Sequence, residues 1–199
     1  MPKSPYTSEM TDRHRQFLFV QPIAALLYKE TKQLDLAIEA LTTALMAQVD
    51  FLGSPHPFDQ TDYYAQEMGD GLQRVLVSFS PLVEPTFLVE ARWKAHAVEN
   101  QLAKAGNRTI NVDMGYLDLF KLVLASFKPR GNKIYLDQGV WADMTLIFEK
   151  GRFQPLPWSF PDFKSGVFDK DLLDIRSRYK ALLADTKTIA PPEKDSLEQ

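Results

Sequence analysis

The chain has 199 residues, 45% hydrophobic and 25% charged, with a formal net charge of −3 and no cysteine. These are ordinary globular values, and they exclude a collagen, an extended coiled coil and a disulfide scaffold. Thiol nucleophiles and Cys-ligated zinc are excluded with them, and the acidic balance argues against a nucleic-acid partner.

Residues 1–15 are polar and aperiodic and read as a flexible tail, as do residues 185–199; residues 16–184 read as a single domain. The longest apolar run, within residues 17–28, is interrupted by Gln21 and Pro22. A spanning helix needs ~20 apolar residues, so no membrane is expected and the location reads as cytoplasmic. Residues 16–28 are read as a buried strand with an irregularity at Pro22. Thr31 is placed to cap a helix whose apolar stripe is Leu34, Ala37, Ile38, Leu41 and Leu45. A short strand over 49–52 ends at Gly53. The stretch 54–71, SPHPFDQTDYYAQEMGDG, is then a long loop of turn formers and aromatics, a kind that is usually functional when ordered.

A strand over 72–79 comes next. A second amphipathic helix starts near Pro85 and carries Phe87, Leu88, Ala91, Ala95, Val98 and Leu102. Short strands are expected over 109–112, 119–127, 133–136 and 144–149, with tight turns at Gly139 and at Lys150-Gly151. Pro155, Pro157 and Pro161 end the sheet region, and a final helix carries Leu172, Ile175, Tyr179, Leu182 and Leu183. Strands outnumber helices and several adjoin through short turns. The pattern implies an α+β fold, a mixed, mainly antiparallel sheet covered by about three helices.

Four features carry chemistry. Asp59, Asp62, Glu67 and Asp70 lie within twelve residues that contain no Lys or Arg, with Tyr63 and Tyr64 among them. Crowded carboxylates either hold a cation such as Mg²⁺, with Asp59, Asp62 and Asp113 the candidate ligands, or act as general acid and base. In that role Asp59, Asp62, Glu67 and Asp113 are the catalytic candidates. The simpler reading is a solvated turn. Lys121, Lys128, Arg130 and Lys133 form a basic counterpart, with no acid among thirteen residues, suited to a phosphate or carboxylate. Asn111 and Asp113, two apart on a strand, point to one side beside an expected sharp turn at Gly115. The segment 153–163, FQPLPWSFPDF, reads as a rigid apolar lid closing the core, with Trp158 inside it. Lys121 is expected to face a pocket and to pair with an anion or with Asp113.

Standard signatures are missing: no G-x-x-x-x-G-K-[ST], no G-x-G-x-x-G and no G-x-S-x-G occurs. The segments PFDQTDYYAQEMG, NVDMGYL, KLVLASFKPRGNKIYL and PLPWSFPDF together resemble a prokaryotic family, domain-of-unknown-function family 4416, over roughly residues 16–182. The resemblance supplies no activity. It marks Asp59, Asp62, Tyr63, Tyr64, Glu67, Asn111, Asp113, Tyr116, Lys121 and Tyr135 as the residues to test. The chain departs from the family pattern at Met114, where proline is common, and at Asn132, where histidine is.

The functional expectation is binding or turnover of a phosphorylated or otherwise anionic small molecule, a nucleotide among the candidates, with a divalent cation. Tyr63, Tyr64, Asn111, Tyr116, Lys121, Lys128, Arg130, Lys133 and Tyr135 are the candidate ligand-binding residues. The alternative is a non-catalytic protein-binding or assembly module.

Overall fold

The computed structural model describes residues 19–61 and 63–189, with side chains as far as 184. The elements are β1 (Gln21–Tyr28), α1 (Thr31–Leu45), β2 (Gln48–Leu52), β3 (His56–Pro57), α2 (Ala65–Met68), β4 (Gln73–Ser80), α3 (Phe87–Gln101), β5 (Ile110–Leu117), β6 (Lys121–Ser126), β7 (Lys133–Asp137), β8 (Val140–Glu149), β9 (Arg152–Pro155), α4 (Pro161–Lys164) and α5 (Asp169–Ile189).

The nine strands form one sheet in the order β2-β4-β1-β5-β6-β8-β7, with β3 added to β4 and β9 to β8. Every pairing between named strands is antiparallel, so the fold is α+β and the expected parallel component is absent among the described residues. Three long helices cover the sheet, as expected, but on both faces. α1 and α3 lie over Ala24, Leu26, Val75, Val77, Val112 and Met114. α4 and α5 lie over Ile23, Ala25, Leu76, Leu122, Leu124 and Leu146 on the other face. Covering on both faces explains why β1 is buried at all eight positions and reads as an unbroken apolar run. Pro22 is tolerated because pairing with β4 begins only at Ile23, so its missing N–H costs no bond on that side.

Several local expectations shift. α1 begins at Thr31, but the capping residue is Glu30, whose backbone N–H donates to the Gln33 side chain at 3.3 Å. The loop over 54–71 contains β3 and the single turn α2. α5 runs to Ile189, past position 185 where a tail was expected to begin. The tail at 1–15, the first strand residues before 19 and the end of the chain after 189 lie outside the described residues. Gly139 does turn the chain tightly: Gln138 and Gly139, at φ 49° and 76°, join β7 to β8 in a two-residue hairpin.

Gly115 is the clearest correction. It lies inside β5, paired with Ile23 on one side and Leu124 on the other, and makes no turn. A Cβ there would stand 2.3 Å from the Val123 carbonyl oxygen and 2.7 Å from Leu124 Cδ2. Glycine is required for close approach of β5 and β6, not for a left-handed backbone.

Candidate functional site

α5 covers only part of its face. Where it ends, residues facing the same way are polar. Arg74 on β4 and Asn111 on β5 flank Leu27 of β1 in one row. Side chains from 58–61 and 63–72 fold over this row: Met68 and Leu72 are buried on Leu27, with Phe58 and Tyr64 packed at the rim. The aromatics of the acidic loop thus give it a small core of its own.

Beneath that loop Arg74 is 2% exposed. Its Nη1 donates to Asp162 at 2.6 Å and its Nη2 reaches diagonally across β1 to Asp113 at 2.9 Å. The Phe58 ring lies 4.6 Å from its guanidinium carbon. Burial pulls the Arg74 pKa down, but the two carboxylates outweigh it and the net direction is up, so the guanidinium stays charged. One cation with two anions leaves the triad one negative charge in excess.

α2 brings a second ion pair to the same place. Glu67 accepts from Arg108 Nε at 2.9 Å, Nη2 at 2.7 Å and the backbone N–H at 3.0 Å. Arg108 Nη1 also donates to Asn111 Oδ1 at 2.7 Å. The bidentate Arg108 fork holds the Glu67 carboxyl below the usual carboxylate range. Burial, and then the Asp113 charge, push the Tyr64 phenol up, so it remains a neutral donor. Arg74 Nε and Asn111 Nδ2 are buried donors with no acceptor among the described residues. Such donors are costly when left unpaired.

The sheet opens beside this row. The β5–β6 ladder covers only Gly115–Leu117 against Leu122–Leu124. Past that point β5 is bonded on its free side by α3: the Val112 N–H donates to Glu99, 1% exposed, at 2.7 Å. The parted end of β6 leads into the basic turn. Lys128 Nζ donates to the Tyr63 hydroxyl at 2.5 Å and stands 4.5 Å from that ring's centroid. Tyr63 packs edge-on against Tyr64 at 4.9 Å. The bond from Lys128 and its charge lower the Tyr63 pKa. On the same face, Asp143 of β8 accepts from Asn132 at 2.9 Å and lies 3.3 Å from Lys133, which also donates to Ser126 Oγ at 2.8 Å.

The candidates named from sequence therefore divide. Tyr63, Tyr64, Glu67, Asn111, Asp113 and Lys128 come together. Lys133 lies on the same face, and Arg130 is in the exposed turn between Lys128 and Lys133. Asp59 accepts from Gln60 at 2.9 Å and lines a groove of about 240 Å³ with Phe58, Thr61, Asp70 and Leu72. Asp62 lies outside the described residues. Tyr116 faces the α3 side, where burial and then Asp118 push its phenol up to about 12. Tyr135 packs on Trp141 at the sheet edge. Lys121 is at the far end of β6, paired with Asp118 at 2.5 Å and not with Asp113. Of the carboxylates expected to hold Mg²⁺, Asp113 is engaged by Arg74, Asp59 stands apart and Asp62 is outside the described residues; Glu67, a catalytic candidate, is engaged by Arg108. Among the described residues no three His, Asp or Glu side chains are placed to hold a metal ion.

The match to a family model supports the sequence motifs. A model described as a domain of unknown function (DUF4416) matches residues 19–179. The chain belongs to the DUF4416 family. The match spans every element that builds the site, from β1 to the Asp162 turn and most of α5. No curated protein matches the chain. No helix of this DUF4416 chain, among the described residues, is long and apolar enough to cross a membrane.

Sequence reasoning missed Arg74, Arg108, Asp143 and Asp162. A signal existed for two of them. Arg74 interrupts LQRVLVSF and Asp143 interrupts VWADMTLIF, each a lone charge in an otherwise apolar strand. A charge at such a position needs a buried partner. Arg108 stands in an irregular segment and Asp162 in the first turn of the short α4, where a charge carries no such message.

Proposed function

We propose that this end of the sheet binds a small molecule with an anionic group, a phosphate ester or carboxylate, held by Lys128 and Arg130 at the mouth and by hydrogen bonds from Asn111 and Arg74 within. The observation that carries the reading is the Tyr63–Lys128 contact, which joins the aromatic loop to the basic turn over the polar row. The excess negative charge of the Arg74 triad favours the anion at the mouth and an uncharged acceptor at the inner end. Phosphorylated ligands, nucleotides among them, fit that polarity. Mg²⁺ would then be held mainly by the ligand's own phosphates.

The test is a thermal-shift screen of inorganic phosphate, sugar phosphates and nucleotides, each with and without Mg²⁺. A ligand at a hundredfold excess over its Kd stabilises by ~2.7 kcal/mol, which a melting curve resolves. Stabilisation of the wild type that is lost in Asn111→Leu supports the reading; a panel without effect on the wild type contradicts it.

A further inference from the structure

The basic turn between β6 and β7 is anchored at its two ends. Ser126 pairs with Trp141 at the end of β6, and Lys133 opens β7 opposite Asp143. Between them Pro129 has no N–H to give, and a Cβ at Gly131 would meet no atom within 4 Å, so the tip stands clear of the fold. A backbone bond from the Lys133 N–H to the Arg130 carbonyl at 3.0 Å closes the tip on itself. Lys128 and Arg130 are exposed there. A long cationic side chain on a loose turn loses conformational freedom when it binds, and a turn held in advance reduces that loss.

Both ends of the turn meet on one buried carboxylate. Asp143 is 5% exposed; its Oδ1 accepts from Asn132 Nδ2 at 2.9 Å and its Oδ2 stands 3.3 Å from Lys133 Nζ. Lys133 Nζ reaches across β8 and donates to Ser126 Oγ at 2.8 Å, and that oxygen accepts the Lys128 N–H at 3.0 Å. The register permits the reach. Lys133, Asp143 and Leu124 form one row across β7, β8 and β6, and Ser126, two residues beyond Leu124, faces the same way. A serine beside a lysine is also the arrangement of a nucleophile and its base. Here the ammonium is paired with a carboxylate and has no lone pair to take a proton, and Ser126 Oγ already accepts two N–H groups. A buried ion pair is a weak source of stability, and its best-attested use is to fix one arrangement over others.

We infer that Asp143 is the positioning residue of Lys128: through Lys133 and Ser126 it fixes the backbone at Lys128, so that the Lys128 ammonium stands on Tyr63 at the mouth of the site. The role in anion binding rests on the function proposed above; the Lys128–Tyr63 contact does not depend on it. The four basic residues of the 121–133 stretch thereby take different tasks. Lys121 pairs with Asp118 at the far end of β6, Lys133 is turned inward as the tie, and Lys128 and Arg130 face outward.

The phenol of Tyr63 reports the position of Lys128 without any ligand. Its titration midpoint is read as the ultraviolet difference between each protein and the same protein carrying Tyr63→Phe. Lys128 lowers that midpoint, so a displaced Lys128 raises it. Ser126→Ala removes the tie and leaves the Asp143–Lys133 pair whole; it is expected to raise the midpoint in the direction of Lys128→Met. Ser126→Thr keeps the oxygen and is expected to titrate as wild type does. Asp143→Asn, which keeps an acceptor for Asn132 but drops the charge, is expected to raise the midpoint as Ser126→Ala does. A wild-type midpoint in Ser126→Ala overturns the proposal, whether or not Asp143→Asn folds. So does a rise in Ser126→Ala that Ser126→Thr repeats in full. Thermal shift with inorganic phosphate separates this inference from the anion site itself. Phosphate is expected to bind Ser126→Ala about tenfold more weakly than wild type, and equal affinity overturns the role in binding. A wild type that phosphate does not protect contradicts the anion site, and the Tyr63 midpoints then decide whether Asp143 positions Lys128.

Discussion

The Val112 amide donates to the Glu99 carboxylate at 2.7 Å where β6 has parted from β5 and offers it no backbone acceptor. Glu99 also lies 3.4 Å from Arg92 and 3.5 Å from His96 Nδ1. A helix side chain thus substitutes for part of a ladder and lets the sheet stay open next to Asp113. Glu99→Leu leaves a buried amide unpaired, which costs about 1–3 kcal/mol, and frees Arg92 from its partner. Urea unfolding should show a loss of at least that size. An unchanged midpoint would mean that Val112 finds another acceptor.

Arg74→Met strands Asp113 and Asp162 without their shared cation. Removing one partner of a buried ion pair costs about 3–5 kcal/mol, largely through the uncompensated charge left behind. Arg74→Met/Asp162→Asn should recover part of that loss, because one stranded charge is then gone. A single variant within ~1 kcal/mol of wild type would show that the triad is not buried as described.

The Glu67 pair gives stability a pH dependence with a definite sign. Its pKa is depressed in the folded chain, first by the bond from Arg108. The group therefore contributes stability above its unfolded pKa of about 4.3, and that contribution is lost as pH falls through the lower folded value. Glu67→Gln should flatten this acid limb of the stability curve. Parallel curves for the two proteins would sink the assignment.

The phenol of Tyr63 should ionise below the ordinary value of about 10, because Lys128 donates to it. The ultraviolet difference between wild type and Tyr63→Phe isolates that one titration among seven tyrosines. In a Lys128→Met background the midpoint should move up. No movement would show that the two side chains are apart in solution.

Much of the fold was legible because burial writes its period into the chain. The stripe of Leu34, Ala37 and Leu41, and the apolar run of β1, come from the same two-faced covering of the sheet. The Asn111–Asp113 spacing likewise gave their common face. What stayed hidden depends on tertiary approach. Gly115 carries no local mark that separates a packing glycine from a turning one. Lys121 opens a short strand and Lys128 lies just past its end, and only the direction of that strand in the sheet shows that they serve opposite ends. The 153–163 segment is split in a way its composition conceals: Phe153 and Phe163 are 4% and 3% exposed, whereas Trp158 is 42% exposed. The deep burial expected of Trp158 is therefore corrected. Phe163→Ala should cost about 3–5 kcal/mol and Trp158→Ala clearly less.

The central claim is that the basic turn, and not the basic residues at large, receives the anion. Calorimetric titration of the strongest ligand from the thermal-shift panel tests it when carried out on wild type, Lys128→Met and Lys121→Met. Loss of a charge-assisted contact should weaken binding to Lys128→Met about tenfold or more, ~1.4 kcal/mol, while Lys121→Met, at the other end of β6, binds as wild type does. Equal affinity in all three proteins, or equal loss in both variants, would contradict the site.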